Sequence, residues 1–150
     1  MSDETPTLAT ETAALRTALV AEQTAIWGYG VVGAALGQDG REPAVAAEAA
    51  HRDVRDRVNS LLAARSAAPV KEEGGYALPF PILSAVDAAA LAAVLEDGVA
   101  RAWVRVLGDA AQRTTRELAV GLLSAAEVRA VSWRTAAHKT PVTSALPGLS

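Results

Sequence analysis

The sequence predicts an all-α protein: a four-helix bundle of two antiparallel helical hairpins joined by a long crossover loop. Three observations carry this. Apolar residues make up 51% of the 150-residue chain but aromatics only 4%, so the core must be built from Ala, Leu and Val. Alanine is the best helix former and a poor strand former. Apolar residues also recur at three- and four-residue steps in four separate stretches, the period of one helix face. The links between those stretches run short, long, short.

Residues 1–6 read as a flexible leader, and Thr5-Pro6 as a helix start with Pro in the first turn. Leu8, Leu15, Ala18, Glu22, Ala25, Tyr29, Val32 and Leu36 then share one face. Gly37 is a stop signal. Asp39-Gly-Arg-Glu42 reads as a capping box for a second helix that tolerates Pro43 in its first turn. That helix runs to about Arg65, with Val45, Val54, Val58, Leu61 and Leu62 on its apolar side and Arg52–Asp56 and Asp53–Arg57 as solvated pairs.

Residues 67–83 hold Pro69, Gly74, Gly75, Pro79 and Pro81 and are expected to form the crossover. Ser84-Ala-Val-Asp87 opens a third helix with the stripe Leu91, Leu95, Val99, Ala102 and Val106, ended by Gly108. A fourth starts between Asp109 and Thr115, with Thr114-Thr-Arg-Glu117 as a box and Leu118, Leu122, Ala125 and Val128 as its stripe. The bundle spans 7–137, and the tail 138–150, with Pro141 and Pro147, is expected to be non-helical.

Connection lengths set the topology. A second helix of about 24 residues is roughly 36 Å long, and an extended crossover reaches roughly 55 Å. The loop can therefore cross the whole bundle and make helix 3 parallel to helix 2, the ferritin-like arrangement. The chain also resembles an uncharacterised bacterial family of ferritin-like domain proteins of unknown function. The matching stretches are Ala21-Glu-Gln-Thr-Ala-Ile-Trp-Gly-Tyr-Gly-Val-Val-Gly-Ala34, His51-Arg-Asp, Tyr76-Ala-Leu-Pro-Phe-Pro81, Leu95-Glu-Asp97 and Thr140-Pro-Val-Thr143 with Pro147-Gly148. The resemblance implies the fold and no activity.

Several functions are excluded or disfavoured. Net charge is −3, with no basic excess for a nucleic-acid backbone. There is no cysteine, which rules out disulfides, thiolate metal sites and thiol catalysis. The acidic N-terminus is unlike a signal peptide, and no apolar run suits a membrane span, so a cytoplasmic location is expected. Gly28-Tyr-Gly30-Val-Val-Gly33 satisfies G-x-G-x-x-G, but it follows some twenty residues of helical periodicity rather than a strand, so it is no dinucleotide motif. Each interior glycine costs about 1 kcal/mol relative to alanine, so a close neighbour is expected over Gly30, Gly33 and Gly37. Residues 25–36 are apolar all round. The expected cover is the Tyr76–Pro81 crossover, with a homodimer through this half of helix 1 as the alternative. Trp27, Trp103 and Trp133 read as core or interface anchors.

The chemistry narrows to one acidic cluster. Di-iron bundles take a Glu from each of two helices and Glu-x-x-His from each of the other two, ligands that suit iron or manganese. Here the candidates are Glu22, His51, Glu96 and Glu127, with Glu48 of Glu48-Ala-Ala-His51 weaker and Ala130 in place of the second His. Glu22, Glu96 and Glu127 have no cation three or four residues away in their own helices, whereas Glu48 has Arg52 four on and Asp97 has Arg101. Glu11 also has apolar neighbours but lies at a helix start, where exposure is easy. Measured from the first hairpin turn, Glu22 lies at roughly 22 Å, Glu96 at 18, Glu127 at 15, His51 at 14 and Glu48 at 9. His51, Glu96 and Glu127 are thus level, Glu22 is marginal, and Glu48 is out of reach. The favoured reading is a polar network in which these acids pair with His51, Arg55 or Arg129, with Tyr29 near enough to join. On that reading the bundle is non-enzymatic, acting through self-association, a protein partner or a small ligand, and removing Glu96 can raise stability. On the metal reading, removing Glu96 abolishes metal content.

Overall fold

The structure, a computed structural model, describes residues 5–149. Four helices follow in order: α1 (Leu8–Gly40), α2 (Glu42–Ala64), α3 (Ala85–Asp109) and α4 (Arg113–Ala136). They form the expected all-α four-helix bundle of two hairpins and a long crossover. Residues 1–4 of the expected leader lie outside the described residues.

Helix starts differ from the sequence expectation in instructive ways. Pro6 precedes α1, and the true cap is Thr7, which exchanges two bonds with Thr10 across the first turn. A threonine thus does what a Glu usually does in a capping box. The box expected at Asp39–Glu42 does not form. Arg41 occupies the cap in a helical conformation without a side-chain bond. Gly37 does break α1, at φ 75° and ψ 177°, but one more turn follows to Gly40 and fills the link. Ser84 caps α3 by accepting the Asp87 N–H, while the Asp87 carboxylate accepts from Leu83 rather than from Ser84. Thr114 is not a cap either: α4 starts at Arg113, and Glu117 bonds Arg113 instead.

The core stripes are mostly as expected on α1 and α3 and only partly so on α2 and α4. Leu15, Ala18, Glu22, Ala25, Tyr29 and Val32 are all buried on α1. On α2 the buried stripe is Ala44, Ala47, His51, Val58 and Leu62, with Val45 exposed. On α4 it is Thr115, Ala119, Ala126, Ala130 and Trp133, with Val128 72% exposed. Val58 and Leu62 are buried as expected, and Val54, Leu118 and Leu122 pack against the core, but alanine marks burial on these two helices more often than valine. α1 packs on both α2 and α3, and α3 packs on α4, while α2 and α4 meet at most marginally.

Two further features hold the frame. Glu11 is fully buried, not exposed as its position at a helix start suggested. Its Oε1 accepts the Gln112 N–H at 3.0 Å, and its Oε2 lies 2.5 Å from Arg65 Nη2. One carboxylate therefore ties the start of α1 to the end of α2 and the start of α4. At the other end of the sequence, Gly148 sits at φ 79° against α3, where an added Cβ would meet Val104 and lie 2.8 Å from the Ala100 carbonyl. The tail is further anchored by Arg134, whose Nη1 donates to the Val142 carbonyl at 2.8 Å. Only glycine combines this conformation with so close an approach.

Candidate functional site: a charge network in the bundle core

α1, α2 and α3 bring Glu22, His51 and Glu96 together at the centre of the bundle, each at most 1% exposed. His51 is the hub. Its Nδ1 lies 2.5 Å from Glu22 Oε2 and its Nε2 lies 2.9 Å from Glu96 Oε1. The two carboxylates thus sit on opposite edges of one imidazole. Around them, Trp103 Nε1 donates to Glu22 Oε1 at 2.8 Å. Tyr29 donates its hydroxyl to Glu96 Oε1 at 2.5 Å, and Arg129 Nε donates to the same oxygen at 2.8 Å. Tyr29 stacks on His51 with ring centroids 5.6 Å apart, and Trp133 backs Tyr29 at 6.1 Å.

The electrostatics follow from this geometry. Burial alone would strip the proton from His51. Its bonds to Glu22 and Glu96, and their negative charges, win and hold its pKa up at about 9. The ring is therefore an imidazolium at neutral pH, donating from both nitrogens. Burial pushes the Glu96 carboxyl up, but His51 and Arg129 outweigh it and hold the carboxyl below its ordinary value. Burial, together with the charge of Glu96, keeps the Tyr29 phenol protonated well beyond its usual range. Two carboxylates against an imidazolium and a guanidinium make a closed, charge-neutral set. Glu96 Oε1 takes three donors, while Glu96 Oε2 is buried without a partner.

The remaining sequence candidates lie elsewhere. Glu127 does not join the cluster. It is one position round the helix from core residue Ala126 and pairs with Arg134 Nη1 at 3.0 Å. It lies on the flank of α4 rather than on its core face. Glu48 stays outside and bonds Arg52 at 2.7 Å. Glu22, marginal by depth, is a full member. Arg55 pairs with Asp56 and Glu72 rather than with a core acid, so the expected Arg52–Asp56 pair does not form. Asp97 pairs across to Arg134 of α4 and not with Arg101. Among the described residues, no group of three or more His, Asp or Glu is arranged to hold a metal ion. Sequence reasoning missed Trp103, because an indole among apolar neighbours signals packing and not its N–H. Arg129 reaches the core from a flanking position on its long stem.

The glycines of α1 also behave differently from expectation. Gly28 is the one in close contact: a Cβ there would lie 2.5 Å from Leu95. Gly30 and Gly37 have nothing within 4 Å of that point, and Gly33 meets only Ala44 at 3.9 Å. The crossover instead covers Trp27, which Tyr76 meets edge-on at 5.5 Å.

Residues 14–150 match the family model described as a domain of unknown function (DUF4439). The chain is also similar to a conserved hypothetical protein, rv2844, from Mycobacterium tuberculosis, whose crystal structure is known. The two are 34% identical with a TM-score of 0.82, over 86% of this chain and 98% of that one. No curated protein matches the chain. No helix among the described residues is long and apolar enough to cross a membrane.

Proposed function

Because the chain belongs to the family of the domain of unknown function DUF4439, its role has to be read from its own side chains, and we propose that it is a ferritin-like bundle acting as a non-catalytic binding module. One observation carries this: both nitrogens of His51 are engaged by carboxylates, on opposite edges of the ring. A metal ion takes one nitrogen of an imidazole, so a single ion cannot be shared by His51 and both acids. Arg129 also donates to Glu96 Oε1, the oxygen that faces His51. Iron or manganese fits this donor set only if the His51 proton is expelled and one of its two carboxylate bonds is given up. The cations that balance the core acids are side chains, which supports a structural role for the cluster.

The competing metal reading, with Glu22, His51 and Glu96 as a reduced ligand set, draws support from the partnerless Glu96 Oε2. Elemental analysis separates the two. Protein purified without chelator or histidine tag, from cells supplied with iron and manganese, is expected to hold far less than one metal per chain. Near one equivalent of either metal, lost in Glu22→Gln, would sink the proposal.

A second copy of the chain is one candidate partner for such a module. The outer half of α1 leaves Gly30, Ala34 and Ala35 exposed beside half-buried Trp27 and Val31, in an open apolar groove closed on one side by Ile82. Sedimentation at micromolar concentration is expected to show a dimer that Ala34→Glu dissociates. A strict monomer would remove self-association from the proposal.

A further inference from the structure

A cavity of about 320 Å³ lies between α1, α3 and the crossover, away from the charge network. Its walls are apolar: Trp27, Tyr76, Leu91, Leu95 and Pro79. One glycine shapes it. Gly28 lets Leu95 lie flat against α1, since a Cβ would stand 2.5 Å from the Leu95 side chain. The Arg101 guanidinium lies over Gly98, its Nη2 3.9 Å from where a Cβ would be, an ordinary contact distance. Arg101 thus folds back along α3 to the edge of the cavity, which it helps to line. Its neighbour four residues back, Asp97, is taken by Arg134. Among the described residues Arg101 has no ion-pair partner. An apolar cavity with one unpaired cation at its rim is the pattern of a site for a small amphipathic anion.

We infer that this cavity binds a small monocarboxylic acid, with its hydrocarbon part against Trp27, Tyr76 and Leu91 and its carboxylate on Arg101. A space of this volume lies at the small end of ligand pockets, about 300–1,000 Å³, and suits a small ligand. Octanoate and phenylacetate are ligands of that kind. A guanidinium matches a carboxylate through two parallel N–H bonds, a geometry that a lysine ammonium does not offer. The edge-on aromatic pair at 5.5 Å gives a rigid wall that loses little freedom on binding.

The inference rests on the reading of the bundle as a binding module, and its test is separable from the metal analysis. Octanoate and phenylacetate are titrated into the full-length protein in the presence of EDTA, followed by heteronuclear NMR with the Trp27 indole signal as reporter. Saturable one-to-one binding at a Kd of about 1 mM or tighter is expected. Octan-1-ol and 2-phenylethanol should bind at least tenfold more weakly. Arg101→Gln, a change at an exposed position, should weaken the acids at least tenfold and leave the alcohols unchanged. Val94→Trp, which fills the mouth, should abolish both. No saturable response to either acid, or equal acid affinity in Arg101→Gln, would overturn the site. Acid binding without stoichiometric metal supports both proposals. Acid binding by a protein that also holds metal keeps this site and removes the non-metal reading.

Discussion

Glu96→Ala is expected to destabilise the fold by about 3–5 kcal/mol, the range for breaking one side of a buried ion pair. Glu96 Oε1 receives Tyr29, His51 and Arg129 at 2.5, 2.9 and 2.8 Å. Alanine would leave all three donors without an acceptor and leave one carboxylate, Glu22, to balance two cations. The sequence alone allowed the opposite sign, since a lone buried acid is a burden that a fold can gain by losing. The structure reverses that expectation because the partners remain when Glu96 goes. Glu96→Gln keeps an acceptor oxygen and should lose less. Urea unfolding of both variants tests this. Unchanged or raised stability in Glu96→Ala would mean that the three bonds contribute nothing net.

The second large effect is alkaline. His51 holds its proton to about pH 9 in the folded chain, against 6.5 as its ordinary value. A raised pKa gives stability that is fully present below 6.5 and lost as pH climbs through 9. At about 1.4 kcal/mol per tenfold change in proton affinity, the loss is on the order of 3 kcal/mol. On the acid side the sign is opposite. Glu96 is held below its ordinary 4.5, so its contribution is present above that value and fades as pH falls below it. Stability should therefore peak between about pH 4.5 and 6.5, lower than the usual optimum for a folded domain. Urea midpoints measured from pH 4 to 10 check the curve. His51→Gln should flatten its alkaline limb, and a wild-type curve that stays level up to pH 9 would show that His51 is neutral.

The fold was legible because helix periodicity and link length are local properties. Gly37, the Pro-rich crossover and the α1 stripe each announce themselves within a few residues. The faces of α2 and α4 were legible only in part: Val58 and Leu62 point inward as their size suggests, but Ala44, Ala47, Ala126 and Ala130 are buried too, and alanine carries almost no signal of direction. The same ambiguity misplaced Glu127. Its flanking residues are small, and a hundred degrees of rotation separates the core from the rim. His51, Glu22, Glu96 and Tyr29 were found because a polar residue inside an apolar stripe is conspicuous. Trp103 and Glu11 were not, since one looks apolar and the other looks exposed. What holds Glu11, namely Arg65 and the Gln112 amide, is 54 and 101 residues away, beyond the reach of any local rule.

The thin seam between α2 and α4 has a kinetic consequence. α2 leans chiefly on α1, and only five of its side chains are buried. Once the Arg65 clasp to Glu11 and Gln112 lets go, α2 is therefore expected to swing open as a unit while α1, α3 and α4 stay together. His51 is the latch of that door, because its bond to Glu96 joins α2 to α3. Removing one proton weakens the latch and leaves the hinge intact. The core would then breathe on a schedule set by pH, well before the molecule as a whole lets go.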